Sequence, residues 1–292
     1  MSRALAFAIF FVFLISACVN ISGTTKAGIS FVEKTSEDIL VRAELSQPQL
    51  KSGLSTSLRF TVQNKQNFDL KNFNLQAYDL CDFTCDKDAS WIEPTIRVNR
   101  TKDFTLNCKS PIVEAERTCE IKFQATYEGE LHQSHDVFVI TESEFAAGKT
   151  KISPIDTETK SPLKISASWS DAQPFVENDQ AILYLDYSYT GDGIIEKLRG
   201  KTETAVGDVS IIVPSNMEFN SDKCIDFSNS NGNIYTLNKG LTFIAGKAKR
   251  STCVFKTKAA QPIDQGKILL DAAFKYKIDS SIPITVQPRK SI

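Results

Sequence analysis

Histidine is almost missing from this chain: His132 and His135 are the only two in 292 residues. Hydrolysis that relies on an imidazole base would have to use one of them, and no local pattern marks a nucleophile beside either. A Gly-x-Ser-x-Gly elbow, a glycine-rich phosphate loop and a His-Glu-x-x-His pair are also lacking, so the usual signatures of nucleophilic, nucleotide and zinc-protease chemistry are absent. Carboxylates are plentiful, but no pair stands out for acid–base work. Net charge is −1, from 34 basic and 35 acidic residues. Without a basic field nothing grips a nucleic-acid backbone or a charged bilayer surface, which disfavours both partners. No cofactor is implied. What the chain does have is 41% hydrophobic and 24% charged residues, the proportions of an ordinary globular protein with a sizeable core.

Its apolar runs are short, with one exception at the start. Arg3 is followed by an unbroken apolar stretch, Ala4 to Leu14, and then by Ile15-Ser16-Ala17-Cys18. As a helix, Ala4 to Ala17 spans roughly 20 Å, short of a hydrocarbon core of about 30 Å. That is the length of a secretory h-region. The Ile-Ser-Ala-Cys end resembles the lipobox of prokaryotic lipoproteins. The resemblance implies that 1–17 is a signal peptide, that Cys18 is lipidated and becomes the mature N-terminus, and that membrane lipid is a partner through Cys18. It implies a lipid-anchored position at the cell membrane, facing the extracytoplasmic side. Plain secretion and an uncleaved anchor are the alternatives, and each also places the remaining chain outside the cytoplasm.

Beyond the leader, residues 18–37 read as the lipidated cysteine and a polar tether, since Ile21 to Glu37 shows little periodicity. From Asp38 the period-2 alternation of half-buried strands sets in: Ile39, Val41, Ala43 and Leu45 face one way, and Leu58, Phe60 and Val62 repeat the pattern. Cys119 to Tyr127 alternates most clearly, and His135 to Thr141 closes a set of seven short strands. No long helical pattern interrupts them, which argues for an antiparallel sandwich over 38–143. Residues 144–161 read as a linker. A second set over 162–292 opens with Leu163, Ile165, Ala167 and Trp169, and ends with Ile268 to Ile278 and, after a short break, Ile282 to Val286. Ile194, Ile195 and Leu198 have the spacing of one helical turn.

Apart from Cys18, six cysteines remain: Cys81, Cys85, Cys108, Cys119, Cys224 and Cys253. An even number in an exported chain reads as disulfides. Thr118-Cys119-Glu120-Ile121-Lys122 lines up with Thr252-Cys253-Val254-Phe255-Lys256, and Cys81 with Cys224. That alignment pairs Cys224 with Cys253, Cys81 with Cys119 and, by remainder, Cys85 with Cys108. The rival scheme joins Cys81 to Cys85 and Cys108 to Cys119, and both stay open at this point. A Cys224–Cys253 bridge closes a loop of about 30 residues and stabilises by about 3.5 kcal/mol in the chain-entropy model.

Two sequons, Asn20-Ile21-Ser22 and Asn99-Arg100-Thr101, are candidate glycosylation points. A zinc site at Cys81, Cys85, Cys108 and Cys119 has loose spacing and competes with oxidation. His132 and His135, with Glu128 or Glu130, could form a metal pair, against the simpler reading as loop histidines near a hairpin bend. Ser228 to Asn233 fits a polar turn better than a calcium loop, and so does Gly191-Asp192-Gly193. Trp91, Trp169, Tyr184, Tyr187 and Tyr189 could line a carbohydrate platform or belong to the core. The assigned metal set is therefore none.

Both modules resemble immunoglobulin-like domains of prokaryotic, especially archaeal, surface proteins, although no cysteine sits in the second strand and no tryptophan follows it. The expectation is an all-β protein: two tandem immunoglobulin-like antiparallel β-sandwich domains behind a signal or anchor segment. Its work would be non-catalytic adhesion, envelope scaffolding or recognition of a surface or envelope protein or glycan. The alternatives are a solute- or glycan-binding lipoprotein of a transport system, marked by a deep pocket at the module junction, and an exported hydrolase, marked by a cleft joining His132 or His135 to a nucleophile.

Overall fold

The computed structural model describes residues 22–24, 30–35, 39–148, 151–196 and 206–289. Cys18, the leader and Asn20 lie outside the described residues. The chain is all-β and forms two sandwiches. In the first, the strands Ile39–Leu45, Ser55–Asn64 and Thr101–Lys109 lie side by side and face Ser90–Ile96, Leu70–Asp79 and Arg117–Ile140. The second repeats this strand for strand. Leu163–Trp169, Gln180–Tyr189 and Ser251–Thr257 face Ile234–Leu237, Val206–Ile212 and Ile263–Gln287.

The last strand of each set is far longer than its sandwich needs, with 24 residues in one and 25 in the other. These two long strands pair with each other, antiparallel and without a register shift, from Arg117↔Val286 to Ile140↔Ile263. At about 3.4 Å per residue the ladder is roughly 80 Å long. The expected boundaries at 143 and 162 thus follow the strand repeat but not the sheets. Arg117 to Ala125 pairs with Ile278–Val286 in the first sandwich, and Gln133 to Ile140 with Ile263–Leu270 in the second. One eleven-stranded sheet serves both modules.

Sequence suggested a bend near His132 and a break after Ile278, and neither exists. Ile121, Phe123, Ala125, Tyr127, Leu131, Val137 and Val139 are all buried on one face. Opposite them, Ile268, Leu270, Phe274, Tyr276, Ile278, Ile282 and Ile284 continue that face. Period-2 burial therefore runs unbroken through both modules. The residues that looked like turn formers are small because their partners are large. Gly129 lies opposite Phe274, and Ser280 lies opposite Phe123. A Cβ on Gly129 would run into the Phe274 ring. Around this waist Tyr127 packs against Phe274 and Tyr276, with ring centroids 6.5 and 5.6 Å apart.

The core of the first sandwich is closed by aromatic contacts between its layers. Phe60 meets Phe123 at 5.1 Å and Trp91 at 5.7 Å, and Phe73 stacks on Phe104. In the second, Phe219 stacks on Tyr235 at 3.7 Å, and Trp169 meets Phe255 edge-on. Each buried ring of this size contributes about 1.5–3 kcal/mol.

Two further expectations are corrected, those for the tether and for Ile194–Glu196, and the linker is described in part. The tether contributes strands: Ser30–Thr35 pairs with Leu40–Leu45, and Ser22–Thr24 pairs with Ser30–Val32. Within 144–161, Asp156–Glu158 adds to the long strand at Gln133–His135, while the short helix Glu142–Ala146, which overlaps the start of the linker, buries no residue. Ile194–Glu196 is a strand against Lys275–Lys277 rather than a helical turn, because Ile195 can bury there; Leu198 lies outside the described residues.

The cysteines pair as Cys81–Cys119, Cys85–Cys108 and Cys224–Cys253, with Cα separations of 6.2, 4.0 and 4.3 Å. Cys253 stands on Ser251–Thr257, whose counterpart in the first sandwich is Thr101–Lys109. The equivalent bridges are thus Cys224–Cys253 and Cys85–Cys108. The repeat alignment that matched Cys119 to Cys253 was one strand out of step, although the pairs it gave are those present.

Gly129 has no left-handed backbone, so Gly129→Val meets only the steric cost of the Phe274 ring. Overpacking of this kind costs about 1–3 kcal/mol. The urea midpoint should fall accordingly, and Phe274→Leu in the same chain should recover part of the loss. An unchanged midpoint for Gly129→Val would contradict the waist packing.

Candidate functional site

The outward face of the ladder is polar. Its densest cluster lies at the waist, where Lys71, Glu130, His132 and Asp271 are brought together from three adjacent strands. Strand geometry explains the grouping: Glu130 and His132 are two apart and share a face, and His132 pairs directly across from Asp271. His132 Nδ1 lies 2.7 Å from Asp271 Oδ1, and Nε2 lies 3.4 Å from Glu130 Oε2. Lys71 Nζ donates to Glu130 Oε1 at 2.6 Å, and Asn72 donates to Glu128 at 2.7 Å. Two carboxylates on opposite ring nitrogens favour imidazolium. The His132 pKa is raised, first by its hydrogen bond to Asp271. The bond from Lys71 lowers that of Glu130 in turn.

His135 is three residues on, and so points through the sheet to the other face. Its side chain is 14% exposed against 53% for His132, and Nδ1 lies 3.0 Å from Asp156 Oδ1. The two histidines therefore do not form a metal pair. Among the described residues no group of three His, Cys, Asp or Glu side chains is arranged to hold a metal. The four cysteines weighed for zinc are joined as bridges instead.

His132, Ser134, Thr157 and Asp271 line an open trough of about 420 Å³. It holds the residue types of a Ser–His–Asp set, but not the hydrogen bonds. Ser134 Oγ bonds Thr157 Oγ1 at 2.8 Å, and the far nitrogen of His132 faces Glu130. No base-to-nucleophile contact is made. No family model and no curated protein matches this chain.

The five aromatics weighed as a carbohydrate platform are dispersed. Trp91 packs between the layers of the first sandwich on Phe60 and Phe104. In the second, Trp169 rests on Phe175 and Phe255, Tyr189 on Phe243, and Tyr187 is buried. Only Tyr184 faces out, beneath Arg250, which forms two hydrogen bonds to Asp186. Of Ser228 to Asn233, read as a turn, Ser228–Asn231 belongs to the first strand of a hairpin, and only Gly232 and Asn233 form its turn, with Gly232 at φ +60° and its carbonyl accepting from Asn229. Asn99 stands exposed at the tip of a turn closed by Arg100 N–H donating to the Arg97 carbonyl, where an attached glycan would meet only solvent.

Sequence reasoning missed Lys71 and Asp271. The signal for Asp271 was the alternation of the second long strand, once that strand is paired with the first.

A histidine with a raised folded-state pKa adds stability that is complete below its unfolded value of about 6.5 and is lost as pH rises through the folded value. His132→Ala should therefore lower the thermal midpoint most near pH 5 and least near pH 8. The effect stays within about 1 kcal/mol, because the pair is half-exposed. An equal loss at both pH values would show that the imidazolium does not contribute.

Proposed function

We infer that the chain is a membrane-anchored surface lipoprotein that displays its second sandwich to a surface or envelope protein or glycan. Cys18 is the lipidated residue, and the site of attachment is the anchor rather than a catalytic centre. The observation that carries this reading is the ladder. The described strands nearest Cys18 belong to the first sandwich, and the second continues along the same two strands for about 45 Å beyond the Tyr127–Tyr276 pair. An anchor at one end thus holds the far module at a fixed reach and orientation, which a flexible linker would not do. Three buried or half-buried bridges agree with an oxidising exterior. Among the described residues no helix is long and apolar enough to cross a membrane. A transport role draws less support, since the waist carries a cavity of about 50 Å³ and an open trough of about 420 Å³ rather than one deep pocket.

The deciding measurement is the intact mass of the native protein from the membrane fraction. It should show cleavage before Cys18, an added lipid mass and the loss of six hydrogens to three bridges, with any glycan on Asn99 as a further discrete increment. A cytosolic protein with free thiols and an unmodified Met1 would remove this reading altogether.

A further inference from the structure

The second sandwich contains a cavity of about 480 Å³ on the side away from the ladder. One wall comes from the hairpin at the sheet edge, with Asp226 and Leu237, and the other from Ser251 on the facing sheet. The Cys224–Cys253 bridge clamps these walls together, because Asp226 and Ser251 each lie two residues from a bridged cysteine. Such a volume suits a small organic ligand, and a covalently held wall is preorganised for one.

The polar groups indicate what kind of ligand. Lys239 and Lys249 line the cavity, both are exposed, and neither has an ion-pair partner among the described residues. Asp226 is the only acid in the lining, which leaves a net positive charge. Leu237, Leu241 and Ile225 supply the apolar surface, and Ile225 is 74% exposed at the rim. Ser251, on the facing wall, adds a hydroxyl to the lining.

We propose that this cavity binds a small amphipathic carboxylate: the anion lies between Lys239 and Lys249, and the apolar body lies against Leu237 and Leu241. The site is independent of the anchor, so it stands or falls separately from the display reading.

Equilibrium dialysis of the full chain against three probes with one shared body tests it: 4-phenylbutyrate, the neutral amide 4-phenylbutanamide and the cation 4-phenylbutylamine. The carboxylate should bind, and the amine should not. Lys239→Ala with Lys249→Ala should weaken carboxylate binding about tenfold, and Asp226→Asn should strengthen it. The exposed lysines leave the fold intact when replaced, which keeps the test decisive. No uptake of the carboxylate at millimolar concentration, undiminished binding by the double lysine variant, or amine binding as tight as that of the carboxylate would each overturn the proposal.

Discussion

Everything in this molecule depends on a single run of main-chain pairing, the ladder between Arg117–Ile140 and Ile263–Gln287. An antiparallel pair of this length is stable only if one face stays buried throughout, because a one-residue slip would turn every apolar side chain outward. The two sandwiches supply that cover in turn, and the aromatic waist supplies it between them. The shared sheet then reads almost the same from either end: an outer strand, an inner strand and the long strand of one module, followed by the long, inner and outer strands of the other, with Phe227–Asn231 added outside the last. Its central six strands have the arrangement of a symmetric dimer, built within one polypeptide.

The other features follow from this frame. With one face committed to the core, the charged residues of the long strands collect on the opposite face, where Lys71, Glu130, His132 and Asp271 neutralise one another. One bridge reaches the end of the ladder and two lie away from it. Cys81–Cys119 ties the start of the first long strand to the loop after its neighbour, while Cys85–Cys108 and Cys224–Cys253 brace equivalent places in the two modules. Backbone pairing thus fixes the long axis, and covalent links fix the flanks, including the walls of the cavity beneath Lys239 and Lys249.

Much of this was legible in the residues. Alternation from Ile39 to Leu45 and from Cys119 to Tyr127 gave strands where strands are found, and the cysteine count gave three bridges. What could not be read was how far a strand continues. Gly129 looks like a turn residue until Phe274 is known to fill the space above it, and Ser280-Ser281 looks like a break until Phe123 is placed opposite. Both are cross-strand facts, about partners some 150 residues away. The candidate site was half visible for the same reason. His132 and Glu130 are neighbours in sequence, but Asp271 and Lys71 reach them only through pairing.

The shared ladder also dictates an order of assembly. Arg117 pairs with Val286, about 170 residues later, so the first sandwich lacks an edge partner until nearly the whole described chain has been made. Until then it presents a long apolar strand with unsatisfied main-chain groups, the kind of surface that recruits chaperones or neighbouring copies. If the polypeptide is threaded outward from its front end, neither half can mature first; they must close together, once the final strand arrives.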